Sequence, residues 1–168
     1  MRNSLISLAA GALLTLGFAP FNVYTLSFIS PAILCWLWLD CPPKKAAFYG
    51  LVFGLGFFGT SINWVYHSIH VYGNASAILA AFIAFLLIIS AALFPAAQGW
   101  GFAYFFKNKS YLQRCLYAFP LCWLICEWIR GQIFTGFPWM MIGYTATHNL
   151  LQWYAPLIGL YGLSLITA

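Results

Sequence analysis

The stretch Ala75–Phe106, ASAILAAFIAFLLIISAALFPAAQGWGFAYFF, runs for its whole length without one Asp, Glu, Lys or Arg. A bilayer core about 30 Å thick takes roughly 20 apolar residues in a helix. This run is long enough to cross at a strong tilt, or to bend at Pro95, whose missing N–H frees a carbonyl one turn earlier. Working outward, five further apolar runs are bounded by polar or Pro/Gly clusters: 5–18 and 23–39, parted by the turn-forming Ala19-Pro20-Phe21-Asn22, then 46–66, 111–129 and 150–168. The expected fold is an all-α polytopic transmembrane helix bundle of about six spans, one domain over 1–168, with no internal repeat, low-complexity tract or linker.

Composition points the same way. Of 168 residues, 64% are apolar and 20% aromatic, while seven cations and two anions make nine charged residues. An average soluble domain of this length would carry about 40. Soluble globular, disordered and nucleic-acid-binding classes are set aside, and the net charge of +5 is a topology signal rather than a nucleic-acid patch. With a cytoplasmic N-terminus, the inner side receives Arg2, Lys44, Lys45, Lys107, Lys109 and Arg114, and the outer side only Arg130. Reading Met1-Arg2-Asn3 and the following run as a cleaved signal peptide would leave an odd number of spans and break that pattern, so it is taken as the first span. Trp36, Trp38, Trp64, Tyr66, Trp128, Trp153 and Tyr154 fall near expected interfaces, as in an aromatic belt. Gly50 and Gly54, and Gly56 and Gly59, predict close backbone approach in the third span.

Candidate chemistry sits at the expected outer side. Glu127 and Arg130, three apart on a helix, share a face near its end. They read first as a structural ion pair and second as a contact to a lipid headgroup or substrate, with Arg130 better suited to phosphate oxygens. Thr135-Gly136-Phe137-Pro138-Trp139, followed by Gly143 and Tyr144, makes a stiff aromatic loop that is either an interfacial anchor or a surface for an acyl chain. His67 and His70 lack the carboxylate or Cys neighbours of a metal site and read as a polar helix end. The five cysteines read as free thiols. Cys126 adjoins Glu127 but points about 100° away, and all four lysines lie at the other side, so no Cys–Glu–Lys set assembles here. No cofactor, metal or catalytic residue is expected.

Gly17-Phe18-Ala19-Pro20-Phe21, the run Gly56-Phe57-Phe58-Gly59-Thr60-Ser61-Ile62-Asn63-Trp64-Val65-Tyr66, and Glu127-Trp128-Ile129-Arg130-Gly131 leading into 135–139 and Gly143-Tyr144 resemble, in order and spacing, the N-terminal membrane half of bacterial apolipoprotein N-acyltransferases. The resemblance implies a multi-pass enzyme of the bacterial inner membrane. It moves an acyl chain from a phospholipid to the N-terminal amine of diacylglyceryl-cysteine apolipoproteins, by ping-pong transfer through a thioester. Implied partners are the phospholipid donor, the diacylated apolipoprotein acceptor and membrane lipids. The family's Cys, Glu and Lys belong to a periplasmic nitrilase-like domain inserted before the last membrane helix, which this sequence does not reach. The chain is therefore expected to be a truncated, split or partial product, inactive alone. Carried over by position, Gly136, Phe137, Pro138, Trp139 and Tyr144, with Glu127 and Arg130, would shape the lateral opening where lipid and lipoprotein meet the active site. The alternatives are a non-catalytic lipid-binding or transport module, against which the nearly uncharged spans count, and a membrane subunit served by a separate catalytic partner.

Overall fold

Long apolar runs in hydrocarbon must satisfy their own backbone hydrogen bonds, which selects helix. A computed structural model describes residues 1–133 and 136–168, with His148 described by its backbone alone; Thr135 of the loop motif lies outside the described residues. Those residues are all-helical, with no strand among them. In order come α1 (Arg2–Thr15), α2 (Leu26–Leu39), α3 (Pro43–Ser61), and α4 (Asn63–His67) running into a π-helical turn, Ser68–Tyr72. Then follow α5 (Ala77–Phe105), a single turn α6 (Tyr111–Gln113) that passes through a π-helical turn, Arg114–Ala118, into α7 (Phe119–Arg130), two 3-10 segments (Ile142–His148 and Leu150–Tyr154), and α8 (Ala155–Thr167).

Two helical runs, Ala77–Phe105 and Leu150–Thr167, are long and apolar enough to cross a membrane. A third qualifies if Pro43–Ser61 and Asn63–Tyr72 are taken as one element, bent by 51°. That bend falls inside the expected 46–66 run, near its end. Its cause is local: Ile62 leaves helical geometry at φ −109° and ψ 23°. Thr60 Oγ1 meanwhile donates back to the Gly56 carbonyl at 2.9 Å and Asn63 Nδ2 to the Thr60 carbonyl at 3.3 Å, side-chain bonds that compete with the helical ladder. α5 continues through Pro95 to Phe105. Inside α8, Gly159 adopts φ 65° and ψ −176°, a conformation open essentially to glycine, and kinks the helix. The expected loops at 67–74 and 131–149 instead contain the π-helical turn and the first 3-10 segment.

α3 is gripped on two sides. A Cβ on Gly50 would collide with the Pro95 carbonyl of α5 and one on Gly54 with Ala92, while one on Gly56 would strike the Leu8 carbonyl of α1. α1 returns the contact through Gly11, which faces the Phe53 backbone. Gly59 departs from the expectation, since nothing lies within 4 Å of its Cβ position. Ser7 Oγ donates to the Tyr49 carbonyl at 2.7 Å, and the Thr15 and Thr60 hydroxyls meet at 2.7 Å, so α1 and α3 are also tied by polar bonds.

An aromatic column fills the bundle. Phe102 and Phe119 pack on Trp38 at 5.7 and 5.6 Å, Phe119 meets Trp123 at 5.8 Å, and Trp123 meets Phe53 edge-on at 6.1 Å. Phe57 lies 6.5 Å beyond Phe53 and 4.8 Å from Phe58. Each end is closed by a buried guanidinium: Arg114 over Phe102 at 5.0 Å, and Arg130 over Phe58 at 5.4 Å. Two expectations change here. Trp38 is completely buried rather than part of an interfacial belt, and Arg114 and Arg130, counted as loop charges, are only 7% and 4% exposed.

Candidate functional site around the Arg130 loop

α7 places Trp123, Glu127 and Arg130 at positions i, i+4 and i+7, hence on one face. Glu127 Oε1 accepts from Trp123 Nε1 at 3.0 Å and from the Ile142 amide at 2.7 Å, so the carboxylate pins the start of the first 3-10 segment. Arg130 Nη1 donates to the carbonyls of Phe137 at 2.9 Å and Trp139 at 2.5 Å, and Nη2 to that of Met140 at 3.4 Å. The Phe137 amide in turn donates to the Arg130 carbonyl at 2.9 Å. The two charges thus share a face, as the spacing predicts, but their hydrogen bonds run to Trp123 and to the loop instead of to each other, and Glu127 Oε2 has no partner among the described residues. A planar guanidinium with several fixed donors can bind three carbonyls at once.

The loop so held is bent at two unusual backbone positions. Gly136 has φ 87°, and a Cβ there would strike the Gly131 carbonyl. Met140, a residue with a Cβ, has φ 60°, which costs on the order of 1 kcal/mol and persists only where the surroundings hold it. Here the holders are the Arg130 bond to the Trp139 carbonyl just before it and the Glu127 bond two residues on.

Three hollows surround this loop. On one side, a hollow of about 460 Å³ runs between α5 and the loop, lined by Leu87, Ser90, Ala91 and Phe94 together with Arg130, Gly136 and Phe137. On the other side, a cleft of about 400 Å³ is lined by Phe18, Ala19, Pro138, Trp139, Met140 and Tyr144. Both fall in the size range of small-molecule sites. Beneath them a cavity of about 30 Å³ lies among Gln98, Trp123, Cys126, Glu127 and Arg130. Trp139 is half exposed and packs on Phe137 at 5.1 Å and on Trp64 at 6.0 Å.

All seven residues singled out from the sequence therefore line these three adjoining hollows, with Glu127 and Arg130 beneath the loop and the other five in or beside it. Cys126 donates toward the Phe94 carbonyl at 3.8 Å and, despite the 100° offset, borders the same small cavity as Glu127. His70 is engaged by the Ala75 carbonyl at 2.8 Å and the Tyr66 ring at 5.6 Å, while His67 meets Tyr72 edge-on. The sequence reading missed Trp123, Gln98, Met140 and Ser164, which bonds the Gly143 amide at 3.0 Å. Gln98 was findable as a lone amide inside the longest apolar run, and Trp123 as the residue one turn before Glu127.

Comparison with known proteins gives a consistent picture. The family model described as the apolipoprotein N-acyltransferase N-terminal domain matches residues 10–168. The chain is 47% identical over 166 residues to an apolipoprotein N-acyltransferase of Coxiella burnetii, covering 99% of this chain and 34% of that protein. It is 40% identical over 168 residues to the one of Methylococcus capsulatus, covering 100% and 33%, and 39% identical over 161 residues to the one of Photobacterium profundum, covering 96% and 31%. The chain spans about a third of the length of these relatives.

Proposed function

Because the chain belongs to the apolipoprotein N-acyltransferase family, we propose that it forms the membrane part of an enzyme that moves an acyl chain from a phospholipid to the N-terminal amine of diacylglyceryl-cysteine apolipoproteins. It sits in the bacterial inner membrane as the six spans set out above, N-terminus in the cytoplasm, and residues 1–168 alone transfer nothing. The excess of cations at alternate turns supports the orientation.

The observation that carries the reading is the loop 136–140, pinned by Arg130 between two hollows of different character. The one beside α5, mostly apolar, suits an acyl chain; Gly136, Phe137 and the Arg130 side chain form its wall. The cleft bearing Pro138, Trp139 and Tyr144 guides the second lipidated substrate. Glu127 and Arg130 act as positioning residues, since their bonds go to the loop backbone. Trp139→Ala in the full-length enzyme tests this: turnover of a diacylated lipopeptide drops about tenfold, the scale of one lost aromatic contact, at unchanged protein level. Normal acylation would make Trp139 only an anchor.

A further inference from the structure

At the opposite end of α7 from Arg130, three cations converge. A hollow of about 340 Å³ is lined by Lys107, Lys109, Arg114, Tyr111 and Asp40, among others. The sequence has two acids in all, and Glu127 is engaged at the far end of α7. Asp40 is therefore the one carboxylate available to these cations, and it accepts from the Tyr111 hydroxyl at 2.6 Å. Three positive charges against one negative leave the hollow with a surplus of two.

Arg114 gives the second, independent observation. It is 7% exposed, its Nη1 donates to the Leu39 carbonyl at 2.5 Å, and its Nε has no hydrogen-bond partner among the described residues. A buried guanidinium donor without an acceptor is costly, and phosphate oxygens match its fork. Next to the hollow an apolar groove of about 220 Å³ runs between Phe106 and the Tyr117–Leu121 stretch, and Lys109 borders both. A polar pocket that continues into an apolar groove at the end of a membrane-crossing helix matches an amphiphile, with its head in one and its chain in the other.

We propose that this Lys107–Lys109–Arg114 hollow binds the phosphate headgroup of an anionic phospholipid whose acyl chain lies in the groove beside Tyr117. The site lies apart from the Arg130 loop and is independent of acyl transfer. The ligand chemistry is a phosphate monoanion; the adjoining groove selects a lipid over a free anion.

Native mass spectrometry of the full-length enzyme in detergent tests it by titration with phosphatidylglycerol, with phosphatidylcholine of the same acyl chains, and with inorganic phosphate. Phosphatidylglycerol should half-saturate at least tenfold below phosphatidylcholine. The double substitution Lys107→Gln with Lys109→Gln, both exposed positions, should weaken phosphatidylglycerol about 25-fold, roughly fivefold per lysine, and leave phosphatidylcholine unchanged. Replacing both lysines by Arg should keep the preference. Equal retention of the two lipids, or a Gln variant that holds phosphatidylglycerol like the parent, overturns the proposal. Displacement of phosphatidylglycerol by millimolar inorganic phosphate would reassign the hollow to a soluble anion and overturn the lipid.

Discussion

Replacing Arg130 by Met keeps length and apolar stem but removes the donors that hold three loop carbonyls. Hydrogen bonds to charged groups contribute about 1.5–3 kcal/mol each. Counting the 3.4 Å contact to Met140 as nothing and the other two at the low end gives about 3 kcal/mol, and loss of the contacts to the Phe58 and Phe137 rings adds to it. The loop should then open locally while the bundle stays folded. Three kcal/mol corresponds to roughly a hundredfold faster exchange of the Phe137 amide, which bonds the Arg130 carbonyl. Hydrogen exchange read by mass spectrometry on a peptide that begins several residues before Phe137 measures this directly, alongside acyl transfer by the full-length enzyme. Arg130→Lys should fall between, since one ammonium cannot span the set of carbonyls. If Arg130→Met abolishes transfer while loop exchange is unchanged, the guanidinium touches substrate and its positioning role is wrong.

Other expectations are simpler. Gly50→Ala should destabilise the chain by about 1–3 kcal/mol, because the added methyl meets the Pro95 backbone; Gly59→Ala, which meets nothing, should leave thermal unfolding in detergent unchanged, and equal effects would remove the packing argument. Glu127→Gln keeps an oxygen for Trp123 and Ile142 and should unfold near the parent temperature, whereas Glu127→Ala should lose about 2 kcal/mol or more; if Gln is as harmful as Ala, charge rather than hydrogen bonding is what counts there. Purified residues 1–168 given phospholipid and a diacylated lipopeptide should form no triacylated product, and its appearance would contradict the assignment of chemistry to another part of the enzyme.

Much of this architecture is visible in the chain itself. The uncharged run 75–106 gave α5 nearly to the residue, and the spacing of Gly50, Gly54 and Gly56 announced close helix contacts that exist. Side-chain direction was harder to read. Helices apolar on every face carry little periodicity to say which side is core, so Trp38 passes for an interfacial residue and Gly59 for a packing one. Arg114 and Arg130 look like loop charges because their acceptors are main-chain carbonyls, which no side-chain pattern encodes. The bend at Ile62 depends on hydroxyl and amide bonds from Thr60 and Asn63 that hydropathy does not register. The loop itself was legible as a cluster of Gly, Pro and aromatics; the partition of its residues between two hollows depends on Arg130 holding the loop from below, through main-chain carbonyls.

The aromatic column closed by two arginines also fixes a length. From Arg114 to Arg130 is 130 − 114 residues of mostly α-helical backbone, roughly 24 Å at 1.5 Å per residue, somewhat less than a typical hydrocarbon thickness of about 30 Å. Both guanidiniums are locked against rings and carbonyls, so neither can snorkel outward to follow a thicker membrane. Any mismatch with a surrounding bilayer would then have to be taken up by tilt or by the lipid, not by these two side chains.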